Sequence, residues 1–493
     1  MSTVKSGKAF VKFCDTPARD GLASASFASR PVVCNSLPFP NKFRKLVPAD
    51  IRIVSKITAS GDFSHMVAPS RRRTLTSHCS YLLAAQPFSE GELVKRLPLL
   101  VVTLLALLVS ASSAQNLTLG FTVSKTGALN VDSLEQYRGF ELWRDQVNAA
   151  GGIKAGGKSY KIQFVSYDDE SNQKRVQQLY SRLILQDKAD FLFSPYSSGL
   201  TATAAIVTEQ YEKIMITTGA AETKAYQGGN HYLFQMFAPG AEYLKGALDA
   251  LKSKDPKASV AFVYEDASFS NSVVDPAKAY AQQIGVSVVF SERYAPNTTD
   301  FSALIDKVIA SKATVVLGGG HYADGSTLAK QLYEHKVPLK MITLLVAPDS
   351  DKWPELGDAG VGVSVPSQWE PQVVLKAQYG PSGADFAKWY KAKYNSEPSY
   401  ESAGGYAAGL VLQRAIEQAG TIDTAKVADA LNKTDITTFY GRTKFSTAAA
   451  DHGVQVGHMM VIAQWQKDKS GKLVKQVVWP LALKSANLVY PIH

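Results

Sequence analysis

At 493 residues the chain is too long for one small domain, and with 45% hydrophobic and 19% charged residues it is not a disordered polymer. The net charge of +10 is local: residues 1–114 carry 15 Lys and Arg against 6 Asp and Glu, whereas residues 115–493 carry 38 against 37. A nearly neutral globular part offers no basic face for nucleic acid, which excludes that partner class.

In chain order, residues 1–93 are rich in Ser, Arg and Pro and lack amphipathic periodicity, so they are expected to be a disordered extension or to lie upstream of the true start. Initiation near Val94 is one reading; an acidic-poor organelle-targeting segment is the other. All three cysteines, Cys14, Cys34 and Cys79, fall in this stretch, which leaves the globular part without a disulfide or thiolate metal site. Residues 94–114 read as a signal peptide. Lys95 and Arg96 precede an apolar run over 97–109, and Ser112 and Ala114 supply the small residues of a cleavage site. The run is too short for a membrane span, so no membrane insertion of the mature chain is expected.

From residue 115 onward, short β-branched runs alternate with helical stretches. Strands are expected at 117–123, 161–167, 191–194 and 214–217, with helices at 133–150, 174–186 and 198–211 between them. A second set follows Pro239-Gly240: strands at 260–264, 286–290, 315–317 and 341–345, and helices at 269–283, 301–311 and 326–335. Helices at 385–394, 402–419 and 426–431 and strands at 457–466 and 473–479 close the chain. This order predicts an α/β fold of two doubly wound, parallel-sheet lobes in tandem.

No Walker-A loop, zinc-protease helix or paired-cysteine motif is present, and Gly318-Gly-Gly-His321 lacks dinucleotide-binding spacing. Pro195-Tyr-Ser-Ser-Gly199 approaches a nucleophile elbow only loosely, which keeps an α/β-hydrolase as a remote alternative. Asp168-Asp169-Glu170 reads as a loop-capping cluster, so neither metal nor cofactor is assigned. Asn116, Asn297 and Asn432 stand in glycosylation tripeptides. Ligands of open α/β sheets bind at the carboxyl ends of strands. There, Ser194-Pro-Tyr-Ser-Ser-Gly199 sets the hydroxyls of Ser197 and Ser198 at a helix N-terminus, a geometry suited to a carboxylate; one serine is also expected to cap the helix.

Several motifs together carry a resemblance: Leu119-Gly-Phe-Thr-Val-Ser-Lys-Thr-Gly127, Val147-Asn-Ala-Ala-Gly-Gly152, Tyr167-Asp-Asp-Glu-Ser-Asn172, Pro195-Tyr-Ser-Ser-Gly-Leu-Thr201, Ser367-Gln-Trp-Glu-Pro371 and Thr438-Phe-Tyr-Gly441. Over residues 115–493 the chain resembles solute-binding proteins of ABC transporters, of the branched-chain amino acid and amide class. The resemblance implies a type I periplasmic-binding fold, with lobe I over 115–239 and 368–446 and lobe II over 240–367 and 447–493. A three-strand hinge would join them near Pro239-Gly240, 365–368 and 446–453. It also implies a non-enzymatic, exported protein that captures an amino acid, amide or related carboxylate and delivers it to an ABC permease; a secreted ligand-sensing receptor of the same fold is the alternative. The implied ligand contacts are Ser197, Ser198, Gly219, Ala220 and Ala221 on the first lobe and Phe269, His321 and Tyr322 on the second. Trp369 stands as an aromatic wall or a hinge-packing residue. Ala221 and Leu345 occupy positions where the family holds an α-ammonium, so either Glu222, Asp266 or Asp324 substitutes or the ligand lacks that group.

Overall fold

The computed structural model describes residues 115–492; the segments read from sequence as an extension (1–93) and a signal peptide (94–114) lie outside the described residues. The first lobe is built on six strands, β1 (Gln115–Val123), β2 (Ile153–Ala155), β3 (Lys158–Asp168), β4 (Phe191–Phe193), β5 (Met215–Thr217) and β6 (Leu233–Gln235), in the spatial order β2-β3-β1-β4-β5-β6. All neighbours are parallel except the β2–β3 hairpin. The second lobe orders β15 (Leu473–Trp479), β14 (Val461–Lys467), β11 (Ser364–Ser367), β10 (Met341–Leu344), β9 (Val315–Gly319), β7 (Ser259–Glu265) and β8 (Ser287–Tyr294) side by side. Only β14 is reversed, antiparallel to both its neighbours β11 and β15 in an otherwise parallel sheet, and β12 (Asp435–Thr437) and β13 (Arg442–Lys444) form a separate antiparallel pair. Strands such as β4 and β9 are buried throughout, as helices on both faces require.

On the first sheet, α1 (Asn130–Ala149) and α9 (Tyr400–Ala419) cover one face, and α2 (Gln173–Leu185) and α3 (Ser198–Gln210) the other. Glycines let α1 and α9 cross closely: a methyl group on Gly139 would lie 2.1 Å from the Ser402 carbonyl oxygen, and one on Gly405 would lie 2.4 Å from that of Gln136. The second sheet is covered on one face by α4 (Lys245–Lys254) and α5 (Ser268–Gln283), and on the other by α6 (Ser302–Ala310) and α7 (Tyr322–Glu334). Helix α8 (Gly383–Tyr394) and α10 (Thr424–Asn432) complete the first lobe. Side chains set several helix starts, with Asn172, Ser382, Ser399 and Asp423 capping α2, α8, α9 and α10.

The chain passes between lobes after β6, after β11 and before β14. The last passage lies at residues 457–460, beyond the expected 446–453, because Gln235 N–H donates to Gly453 O at 2.8 Å and Phe445 bridges Gln455. Those contacts hold the segment against the edge of the first sheet. Gln368 ties the three passages together. Its Oε1 accepts from Ala238 N–H at 3.0 Å, its Nε2 donates to Tyr243 Oη at 2.8 Å, and its carbonyl lies 2.8 Å from His458 Nε2. Among the described residues no helix is long and apolar enough to cross a membrane.

Candidate functional site between the lobes

The carboxyl ends of both sheets face one seam. From the first lobe come the loops after β1, β4 and β5, and from the second those after β7, β9 and β10. Ser197 adopts a positive φ of 80° and caps α3, accepting from Leu200 N–H at 3.4 Å. Ser198 is buried, and its hydroxyl oxygen accepts from both Ala221 N–H and Glu222 N–H at 3.2 Å. Two strand-end loops are thereby braced by one side chain. Gly219 turns at φ 70°, and its carbonyl accepts from Ser197 N–H at 3.0 Å, while Ala220 O accepts from Gln235 Nε2.

On the other side, His321 meets Tyr196 of the first lobe, with Phe269 against His321. The Tyr196 and His321 rings are edge-on at 5.8 Å between centroids, and Phe269 lies 5.5 Å from His321. Tyr322 starts α7, and its N–H donates across the seam to Asp132 Oδ2 at 3.3 Å. Trp369 lies elsewhere, edge-on to Phe386 and Phe439 in the core of the first lobe. That favours its hinge-packing role over contact with solute at the seam.

The acids named from sequence as substitute amine holders are engaged otherwise. Asp324 accepts from His321 N–H at 2.8 Å and from Tyr294 Oη, and Asp266 is an exposed partner of Arg293; Glu222 is half-buried beside the braced loop. Glu265, His321 and Asp324 bring potential ligand atoms within 4.8 Å of one another. His321 Nδ1 lies 3.1 Å from Glu265 Oε2, so these atoms already serve one another as an ion pair and a helix cap. Burial works against the His321 charge, but the Glu265 hydrogen bond and the acids around it hold its pKa above the ordinary value. Beside this cluster a cavity of about 150 Å³ opens between Ala128 and Leu129 of one lobe and residues 297–299 of the other.

What sequence reasoning missed is a set of buried acids. In the first turns of α1, Asp132 and Glu135 are 1% and 4% exposed, and Glu401 in the first turn of α9 is 2% exposed. Glu135 Oε1 accepts from Ser350 Oγ of the second lobe at 2.9 Å, and Glu401 Oε1 accepts from Tyr196 Oη at 3.2 Å. Four residues beyond Leu345, Asp349 accepts from Tyr400 N–H at 2.8 Å and pairs with Lys475, which also reaches Glu370 at 2.9 Å. Burial is the main cause that raises these carboxyl groups. Asp132 is pushed up to about 6, Glu370 to about 7 against the pull of Lys475, and Glu135 to about 8. Glu401 is raised well above the ordinary carboxyl range, by burial and then by the charges of Asp132, Asp349 and Glu135.

Two α/β lobes joined by three chain passages, with strand ends and side chains meeting across the seam, define the architecture of a two-lobed binding protein. Residues 116–472 match the family described as periplasmic binding protein, and the chain belongs to that family. A Pseudomonas aeruginosa "Amino acid binding protein" is 26% identical over 341 residues, spanning 68% of this chain and 88% of that protein. "Leu/Ile/Val-binding protein homolog 8" of Brucella melitensis is 27% identical over 368 residues, 71% of this chain and 87% of the relative. Among solved structures, the branched-chain amino acid transporter substrate binding protein LivJ from Streptococcus pneumoniae, in complex with isoleucine, superposes with a TM-score of 0.63 at 22% identity, covering 74% of this chain and all of that one. An ABC transporter solute binding protein from R. palustris, in complex with benzoate, gives a TM-score of 0.62 at 20% identity, covering 76% and 98%. These two structures share the fold predicted from the order of elements.

Proposed function

We propose that this protein captures a small solute between its lobes and delivers it to an ABC importer outside the cytoplasm, without chemical turnover. The observation that carries the reading is the seam itself: Asp132 with Tyr322, Glu135 with Ser350 and Tyr196 with His321 each join one lobe to the other at strand ends. A hinged pair of lobes that meets through such contacts encloses a solute by closing over it. The relatives' names, which include amino acid and Leu/Ile/Val binding, support an amino acid, amide or related carboxylate as the solute. The Ser197–Ser198 turn at the α3 N-terminus, with the loop at Gly219, Ala220 and Ala221, supports a carboxylate end on the first lobe. Phe269, His321 and Tyr322 close over it from the second. Native mass spectrometry of the purified protein, followed by calorimetry with the co-purifying compound, tests this reading. Tight one-to-one binding that loosens in Ser197→Ala supports it, and a protein that retains and binds no small solute would refute it.

A further inference from the structure

Where the chain passes between the lobes, a cavity of about 210 Å³ opens, and none of its walls comes from the strand-end loops of the seam. Leu375 and Tyr440 line it from the first lobe, Val461 and Leu483 from the second, and Gln368 and Met459 from two of the passages. Its rim gathers exposed apolar side chains. Val374, Val456, Met459 and Leu481 are 90%, 56%, 59% and 59% exposed, and each is a wall residue or stands within two positions of one. Apolar side chains exposed singly are ordinary, but a group of them around a cavity marks a place of contact.

The walls offer no free charge. Arg442 is held by Asp435 at 2.7 Å, and Glu370 by Lys475 at 2.9 Å. His458 stacks on Tyr440 with ring centroids 4.6 Å apart, and burial lowers its pKa to about 4, which leaves it neutral at pH 7. A charged group entering here would lose its hydration without gaining a partner, a cost that an apolar group avoids. Size narrows the occupant further. An apolar cavity of about 150 Å³ takes up benzene, so this one has room for a molecule of one or two rings and none for a helix about 10 Å across. Trp369 and Tyr440 are aromatic members of the wall, and they favour a ring for its stacked or edge-on contacts.

We propose that this cavity is a second binding site, which takes a small neutral aromatic molecule and favours the arrangement of the lobes that forms it. Its walls move relative to one another when the lobes turn on their passages, so an occupant binds one arrangement better than the others and shifts the population toward it by that difference. The bond from Tyr322 N–H to Asp132 across the seam belongs to the same arrangement. With no wall in the seam loops, the site stands independently of the solute-capture reading.

The test uses the purified, isotope-labelled full chain with toluene and indole as neutral probes and benzoate and benzylamine as charged counterparts, read by amide NMR and calorimetry. Expected with a neutral probe are saturable shifts at Gly441 and Gly457, which line the cavity, and slower hydrogen exchange at Tyr322 N–H. The charged pair is expected to shift neither glycine. Leu483→Trp, which fills the cavity, is expected to weaken probe binding tenfold or more with the melting temperature retained; Val373→Trp carries the same expectation should Leu483→Trp not fold. No shift at Gly441 and Gly457 with either neutral probe, or shifts confined to Gly219 and Ala221 in the seam, would overturn the second site and leave solute capture standing. Equal shifts with the charged pair would overturn its ligand class, and unchanged exchange at Tyr322 its coupling to the lobes. A dimer in sedimentation that Met459→Lys splits would assign the apolar rim to a second copy of the chain and overturn the proposal as well.

Discussion

Glu135 in α1 of the first lobe accepts a hydrogen bond from Ser350 of the second at 2.9 Å, through a carboxyl group that burial holds at about 8. The contact between lobes is thus made by a group that changes charge just above neutral pH.

Its consequence for stability has a definite sign. The folded state keeps the Glu135 proton up to about pH 8, whereas the unfolded chain releases it near 4.5, so between those values folding binds protons and stability falls as pH rises. The slope approaches about 1.4 kcal/mol per pH unit for one such group. Below pH 6.5 buried His458, lowered to about 4, acts in the opposite direction. Urea unfolding of the unliganded protein is expected to show a declining free energy from pH 6.5 to 8.5, and a shallower decline in Glu135→Gln. A free energy that rises over that window would refute the assignment.

Lys475, which is half-buried, is shared by the buried carboxyl groups of Asp349 and Glu370. Lys475→Met leaves two buried carboxyl groups without it, and breaking a buried pair in this way costs about 3 to 5 kcal/mol. Adding Asp349→Asn and Glu370→Gln is expected to restore much of the loss. Denaturation midpoints of the single and triple variants provide the comparison; equal midpoints would show that Lys475 does not neutralise the pair.

The Ser198 hydroxyl holds two backbone N–H groups of the neighbouring strand-end loop. Ser198→Ala is therefore expected to destabilise the protein by about 1 to 3 kcal/mol even without solute. Faster amide exchange at Ala221 and Glu222 is the accompanying signature, and unchanged exchange there would contradict the brace.

Gly405 packs against the Gln136 carbonyl, where a methyl group would come within 2.4 Å. Gly405→Ala forces α1 and α9 apart, with an expected loss of about 1 to 3 kcal/mol or more. Because Glu135 and Glu401 ride on those helices, solute affinity is expected to fall with stability. A variant as stable as wild type would show that the crossing has room to relax.

The βα alternation made the two lobes legible in the sequence, and β15 was predicted residue for residue at 473–479. The three-residue strands β2 and β6 were not predicted, although β4 and β5 of the same length were. Helix α7 begins at Tyr322 rather than 326, because its first turn is polar and is set by Asp324 reaching back to His321. The Ser197–Ser198 turn was visible because a strand end followed by serines has a local meaning. Asp132, Glu135 and Glu401 were not, since acids in the first two turns of a helix ordinarily face solvent and those nearest its N-terminus complement the helix dipole. Only the meeting of segments 190 or more residues apart, such as Asp132 with Tyr322 and Glu135 with Ser350, buries them. The same long-range pairing explains the displaced third passage, where residue 453 bonds to residue 235.

The three bonds on Gln368 also dictate how the molecule can move. Sliding one lobe across the other would break hydrogen bonds to Ala238, Tyr243 and His458 together, at roughly 0.5 to 1.5 kcal/mol each. A swing about the line through this residue leaves all three intact. Gln368 is then a pivot, the lobes are its lever arms, and a small torsional change in three short segments becomes a wide gape at the mouth between residues 128–129 and 297–299.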